Sequence, residues 1–381
     1  MDFDLSEEHE AFRRVVRDFA EREIAPHAER WDRDHVFPLE AVQAMGELGL
    51  FGLPFSPEYG GSGADFTTLC VAIEELARVD SSMAITLEAA VGLGAGPIAA
   101  FGTEEQRQRW LPDLCAGRAL AGFGLTEPDA GSDAGASRTR ARRDGDDWVI
   151  DGTKAFITNS GTPITSLVTV TARTGSAREI TAIIVPSGTP GFTVEPAYRK
   201  MGWRASDTHP LTLEECRVPI ANTLGAEGDG FRQFLATLDD GRIAIAALAV
   251  GLAQACLEQS VAYAGERMAF GVPIGANQGV AFRCADLAVM VENARLLTYK
   301  AAWLKDRGRP FKQAAAMAKL YATEAAVDAA RHATQIFGGA GFIDETPVSR
   351  YYRDAKILEI GEGTSEIQRL VIGRGLGLPV R

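Results

Sequence analysis

Apolar residues recur three and four positions apart from Ser6 to about Gly117, the spacing of helices that bury one face. Phe12, Val15, Val16 and Phe19 form the first such stripe, with Glu7 and Glu8 in a first turn that favours acid. Pro26 is placed to end or bend that helix, since it offers no backbone N–H. The same spacing predicts helices over 39–48, 67–79 and 104–115. The Ala- and Gly-rich stretch 84–100 reads as one helix packed closely on its neighbours.

Near Ala121 the period shortens. DWVIDGTKAFITNS, SLVTVTART and EITAIIVPS are strand-like, and Gly, Pro, Asp and Ser clusters separate them. Asp151-Gly152 predicts a hairpin turn between two runs. To about Leu224 the pattern is that of a small antiparallel β domain. Long helical runs return over 231–266, 280–305 and 312–336, with another helix after Thr364. The chain therefore divides into an N-terminal helical domain (1–120), a central β domain (121–225) and a C-terminal helical domain (226–381).

Composition narrows the class. A chain of 381 residues exceeds one ordinary core, and 46% hydrophobic with 24% charged residues is that of a soluble globular protein. A net charge of -12 argues against nucleic acid or an anionic membrane as the main partner. Five scattered cysteines and five scattered histidines show neither a disulfide framework nor a metal-ligand spacing. The acidic start has no apolar leader, and the apolar run 243–256 is short and interrupted for a membrane span. These features predict a cytoplasmic protein without a bound metal.

The candidate chemistry lies at the joints and among the late helices. In ILEIGEGTSEIQR, Glu362 stands between Gly361 and Gly363 before a helix that Thr364 and Ser365 can cap, Gln368 lying in capping-box spacing from Ser365. A carboxylate so placed is either a general base or a solvated loop residue. FGLTEPDAGSD offers the Thr126 hydroxyl and a Gly131-Ser132 anion nest, or only a Pro128-Asp129 turn with an Asp133 cap. FITNS sets Phe156 and Thr158 on one side of a strand and Ile157 on the other. An aromatic there either covers a flat ligand or fills the β core. Asp239 and Arg242 of LDDGR share a helix face, as a salt bridge or as a clamp on a polar tail. Arg267 and Phe270 of ERMAFG, and the paired Gly338-Gly339 of QIFGGAGF, read as ligand contacts or as ordinary helix ends. The arginines of RTRARR read as a solvated strand edge.

Taken in order, LTEPDAGSD, FITNS, the SDT of RASDTHP, LDDGR, ERMAFG, QIFGGAGF and EGTSEIQR resemble the acyl-CoA dehydrogenase family over essentially the whole chain. The resemblance implies a mainly α fold with a central β domain, a C-terminal four-helix bundle and FAD held between subunits. It implies that Phe123, Leu125 and Thr126 line one edge of the flavin, and that Phe156, Ile157 and Thr158 cover another side. Gly131 and Ser132 would meet the pyrophosphate or the thioester. From a neighbouring subunit, Arg267, Phe270, Ile274, Asn277, Gln278, Gln335, Gly338 and Gly339 would hold the diphosphate and adenosine. Thr364 and Glu366 would complete the cofactor site.

On the substrate side the resemblance assigns Asp239 and Arg242 to the CoA portion, and Gly361 and Gly363 to the neighbourhood of the thioester. Glu362 matches the catalytic base, which takes the α-proton of an acyl thioester while the β-hydrogen passes to the flavin. An electron-transfer flavoprotein would be the acceptor, and a homotetramer built as a dimer of dimers the assembly. An acyl-carrier-protein dehydrogenase, a flavin oxidase or monooxygenase of the same fold, or a non-catalytic helical scaffold are the rival readings.

Several departures from the family's pattern carry information. Phe156 stands where many relatives have Trp, and Asn277 where His is frequent. Gly241 occupies the position from which some relatives supply their base. Gly361 replaces a common Tyr, which leaves room for a branched acyl group. The region of Ala84 lacks the arginine that glutaryl-type members use for a second carboxylate.

Overall fold

The computed structural model describes residues 4–176 and 179–380. α1 (Glu7–Phe19) starts on Ser6, whose hydroxyl accepts the His9 N–H at 3.2 Å. It widens into a π turn at Ala20–Ile24, just ahead of Pro26. There follow α2 (Ala28–Asp34), α3 (Leu39–Glu47), α4 (Phe66–Val79) and α5 (Ser81–Glu88). A second π stretch, Ala89–Ala95, leads to α6 (Gly96–Phe101) and α7 (Glu104–Cys115). The single helix expected over 84–100 is thus three pieces. Pro97 has no N–H to give the preceding turn, so the α ladder restarts there. Thr103 and Gln106 close a reciprocal capping box on α7.

The sheet comprises β1 (Leu120–Gly124), β2 (Arg140–Asp144), β3 (Asp147–Thr158), β4 (Thr165–Arg173), β5 (Ile180–Pro186), β6 (Phe192–Val194), β7 (Thr208–Pro219) and β8 (Thr223–Leu224). Its order is β6-β7-β3-β2-β4-β5-β8, with β1 also on β4. The sheet is mixed, because β1 runs parallel to β4 and β2 meets β4 in parallel at Arg140 and Arg173. The long path from β1 through β2 and β3 to β4 permits that parallel pair.

Two local expectations are corrected here. The hairpin turn lies at Gly145 (φ 62°), between β2 and β3, not at Asp151-Gly152. Asp151-Gly152 is inside β3, where the register against β7 slips and Asp151 Oδ1 accepts the Glu215 N–H at 2.8 Å. RTRARR is an edge only in part: β2 pairs with β3 along its length but with β4 at the single pair Arg140–Arg173, and Arg140, Arg142 and Arg143 stay exposed.

The C-terminal part holds α8 (Gly230–Glu266), the small hairpin β9 (Met268–Ala269) and β10 (Val272–Pro273), then α9 (Gln278–Asp306), α10 (Lys312–Phe337), α11 (Pro347–Leu358) and α12 (Ser365–Gly375). α11 has no counterpart among the predicted helices. Its buried stripe of Val348, Tyr351, Ala355 and Leu358 is masked in the sequence by Arg350 and Asp354, which are buried as well. Helices and the near side of the sheet share one core, and a second core around Trp148, Val168, Val170 and Leu211 lies within the β domain.

Close helix packing positions the site. A β-carbon on Gly251 of α8 would stand 2.1 Å from the Glu74 carbonyl oxygen, so α4 and α8 approach as only glycine allows. The segments Ser81–Phe101 and Gly230–Glu266 are long and apolar enough to cross a membrane, yet both lie mostly buried within the protein.

Candidate active site

The loop from α11 to α12 is tied down from several sides. The Ile357 carbonyl accepts the Gly361 N–H at 2.8 Å, and the Glu359 carbonyl accepts the Ser365 N–H at 3.0 Å. Between them Glu362 has φ 51°, a left-handed conformation that costs a non-glycine residue about 1–3 kcal/mol. Two buried side chains hold it there. Lys319 Nζ and Gln368 Nε2 each donate to the Gly363 carbonyl at 2.8 Å. The helix cap is Thr364, whose hydroxyl accepts the Ile367 N–H at 3.3 Å. With Thr364 in the cap, Gln368 falls one position past capping-box spacing and turns back on the loop. The expected Ser365–Gln368 box is not formed.

The Glu362 carboxylate points inward. Glu362 as a whole is partly exposed, but both carboxylate oxygens are shielded and no donor of another residue reaches them. Opposite lies Glu88, the last residue of α5, fully buried and equally without a donor. Burial first, and the Glu362 charge second, push Glu88 well above the usual carboxylate range. Burial also raises Glu362, while the Glu88 carboxyl, Lys319 and Arg242 pull it back down. Lys319 itself is lowered to about 8, chiefly by burial.

From α8, Gly241 supplies the space the carboxylate needs: its built β-carbon would lie 2.0 Å from Glu362 Oε2. Next to it Arg242 is buried and paired with Asp239, whose other oxygen meets Lys312 Nζ at 3.3 Å.

The β domain contributes a second wall. Phe123, next to last in β1, is half-buried with its ring stacked on Phe234 of α8 at 3.9 Å, and Leu125 is buried beside the half-exposed Thr126. Phe156 is 65% exposed at φ 62°, with its ring 5.0 Å from Tyr198. Thr158 is half-buried, whereas the Ile157 side chain is committed to the β-domain core and leaves only its backbone for a ligand. Asn159 Nδ2 donates to the Thr86 carbonyl at 3.1 Å, which ties FITNS to the helix that carries Glu88. Glu127 locks the LTEPDAGSD turn by accepting from Thr139 N at 3.0 Å and from buried Lys154 Nζ at 2.8 Å. Gly131 and Ser132 are exposed beyond it, and the Asp133 side chain makes no cap.

The remaining predicted residues lie apart, on an outer face. Arg267, Asn277, Gln278, Gln335, Gly338 and Gly339 are exposed, Ile274 is half-buried and Phe270 is 100% exposed at φ 53°. The side chains of Arg267, Gln278 and Gln335 meet no hydrogen-bond or ion-pair partner among the described residues. A stack of Tyr263 on Phe337 at 4.1 Å holds this end of α8 against the end of α10. Thr364 stays with the Glu362 loop, and Glu366 is exposed on α12.

The pairing of Glu88 with Glu362 was missed, as were Lys319, Gln368 and Glu127 as site residues. A signal existed for two of them: Glu88 interrupts MAITLEAAVG, and Lys319 interrupts AAAMAKLYAT, each a lone charge in a stretch otherwise fit for burial.

Models of three consecutive domains of one family match this chain. The N-terminal domain of acyl-CoA dehydrogenase matches 6–118, the middle domain 122–216 and the C-terminal domain 228–377. The chain belongs to the acyl-CoA dehydrogenase family. It is 53% identical over 380 residues to the probable acyl-CoA dehydrogenase YngJ of Bacillus subtilis, covering 99% of this chain and 100% of that one. Its fold is similar to that of butyryl-CoA dehydrogenase from Megasphaera elsdenii, with TM-score 0.96, 42% identity, and 99% and 100% of the two chains covered. A chain in a solved structure concerned with the electron transferring flavoprotein of Acidaminococcus fermentans is similarly close, at TM-score 0.96 and 43% identity over 99% of each.

Acyl-CoA dehydrogenases are FAD-dependent oxidoreductases. The residues present fit such a cofactor. Such a cofactor and its substrate could use the outward phenyl ring at Phe156, the Thr126 and Thr158 hydroxyls, which no described residue engages, and the shielded Glu362 carboxylate. None of these is explained by packing alone. Positive φ at Phe156 and Glu362 marks backbone strain at two of these positions.

Proposed function

We propose that this chain oxidises a short acyl-CoA to the trans-2-enoyl-CoA, with Glu362 as the general base that removes the α-proton. The observation that carries this reading is the Glu362 carboxylate: shielded, aimed inward and without a donor, so that its lone pairs face a substrate C–H. FAD, when bound, accepts the hydrogen and electron pair that leave the β-carbon.

The chain's own residues do the rest. Lys319 and Gln368 fix the loop through the Gly363 carbonyl, so the base needs no rearrangement to reach the α-carbon. Lys319 and Arg242 stabilise the ionised carboxylate, while burial keeps it basic. The Glu362 backbone N–H is a candidate donor to the thioester oxygen, where charge develops as the proton leaves. Phe123, Leu125, Thr126, Phe156 and Thr158 would hold the flavin ring, with the Ile157 backbone, Thr364 and Glu366 beside it. Gly131 and Ser132 would take the pyrophosphate or thioester, and Asp239 and Arg242 the CoA portion.

Arg267, Phe270, Ile274, Asn277, Gln278, Gln335, Gly338 and Gly339 would bind the FAD of a neighbouring subunit. Their outward placement supports this, as do the exposed apolar side chains Phe270, Phe282, Val289 and Phe342. A homotetramer, as a dimer of dimers, is the assembly that this shared site favours. Similarity to the Acidaminococcus fermentans structure supports an electron-transferring flavoprotein as electron acceptor, and similarity to butyryl-CoA dehydrogenase supports a short acyl chain.

The test is anaerobic bleaching of the flavin by a panel of acyl-CoAs. Wild-type protein should bleach with a short-chain member. Glu362→Gln should keep its flavin and its affinity for the ligand, and lose about 10²–10⁴-fold or more in reduction rate. Near-normal bleaching of that variant would remove Glu362 from the role.

A further inference from the structure

The base is not the only carboxyl at the site. Glu88 and Glu362 come from opposite sides of the fold, α5 and the loop before α12, yet their carboxyls meet in a shielded space. Among the described residues, no N–H or hydroxyl group donates to any of the four oxygens. Arg242 from α8 and Lys319 from α10 are the cations facing Glu362, and Asp239 already engages Arg242. Among the described residues no cation acts on Glu88, and Glu362 is the charged group that does. Gly92, one turn on in the π stretch, leaves the Glu88 carboxyl its room: a β-carbon there would lie 3.1 Å from Glu88 Oε1.

Two carboxylates cannot both stay ionised in such a space, because like charges repel strongly where water does not screen them. One proton is therefore shared, and the placement of the cations decides where it sits. Glu362 has Lys319 and Arg242 to favour its charge; Glu88 has neither.

We propose that Glu88 is a positioning residue for the base: a protonated acid whose O–H donates to the Glu362 carboxylate, holding it ionised and aimed. This rests on the reading of Glu362 as base. It assigns a role to a buried acid that ordinary packing does not explain, since a purely structural position at the end of α5 would be served by an apolar residue. The directions of the shifts agree: burial raises both carboxyls, and Glu88 itself acts to lower Glu362.

The test reads the proton and the base separately. In the flavin-loaded protein at pH 7, without substrate, infrared difference spectra should show the carbonyl band of a buried protonated acid. Glu88→Gln should lack it. In rapid-mixing flavin reduction, Glu88→Leu removes the donor and should move the acidic limb of the rate profile up by about one pH unit, about tenfold in rate on that limb. Glu88→Gln, which keeps an N–H donor, should restore the limb toward its native position. If Glu88 were instead ionised, its removal would delete a like charge and move the limb down. A band unchanged in Glu88→Gln, or a limb unmoved or lowered in Glu88→Leu, overturns the proposal. Should Glu88→Leu not hold flavin, the band alone decides. Failure of wild-type protein to bleach with any acyl-CoA would refute the dehydrogenase reading and leave the infrared result standing.

Discussion

Gly241 and Glu362 occupy one another's space: a β-carbon on the glycine would stand 2.0 Å from Glu362 Oε2. The carboxylate reaches its inward position because α8 has no side chain at that turn. A side chain at position 241 therefore requires the Glu362 carboxylate to move from this position. The absence of an acid at Gly241, noted in the sequence, has a steric consequence as well as a chemical one.

Gly241→Ala should accordingly disturb the base without touching it chemically. Displacing a catalytic group by about 1 Å can cost about 10²-fold. The expected outcome is flavin content near native with reduction slowed by about that factor, measured by anaerobic stopped flow. A native rate would show that Glu362 has another productive rotamer.

Lys319→Met should separate anchoring from electrostatics. It removes the donor to the Gly363 carbonyl and the cation that lowers Glu362. Glu362 is already raised by burial, so loss of the cation raises it further, and protonation then silences the base at a higher pH. The acidic limb of flavin reduction should move up, with a greater loss at pH 6 than at pH 8. A uniform loss at both would assign Lys319 to loop geometry alone.

Arg267→Ala should couple cofactor to assembly. Its guanidinium meets no partner among the described residues, and the fully exposed Phe270 follows it closely in the chain. If both reach the flavin of a neighbouring subunit, the variant should lose FAD on dilution and dissociate at higher protein concentration than wild type, by mass action. Sedimentation with flavin absorbance reads both. Full flavin in a dilute monomer would contradict the shared site.

Gly361→Tyr should report on the acyl pocket. A β-carbon at Gly361 would meet only the Ile357 carbonyl oxygen, at 3.5 Å, so the backbone tolerates a side chain and the space beyond is open. The native enzyme is expected to accept a methyl branch near the thioester. The tyrosine should cut kcat/KM for isovaleryl-CoA by about tenfold or more relative to butyryl-CoA, in line with the cost of overpacking. Equal losses on both would show that the branch lies elsewhere.

The sequence by itself determined the order of helical, β and helical regions, the family, and Glu362 as the candidate base. Helical and strand periodicity are local properties, written where each segment must bury one face. The motifs are local too: a glycine-flanked glutamate before a capped helix reads the same in any context. Even so, locality misled where neighbours intervened. Asp151-Gly152 has turn chemistry but lies in a bulge against β7, and α11 hid its helix behind Arg350 and Asp354, charges that only the packed fold could show to be buried.

Only the tertiary structure decided what surrounds the base. Glu88, Gly241, Arg242 and Lys319 lie on three helices far apart in the chain, and no spacing rule relates them to Glu362. Their effect depends on distance and on exclusion of water. A carboxylate becomes a base when burial raises its pKa and neighbouring charges set by how much, and both arise from packing between helices rather than from the order of residues along any one of them.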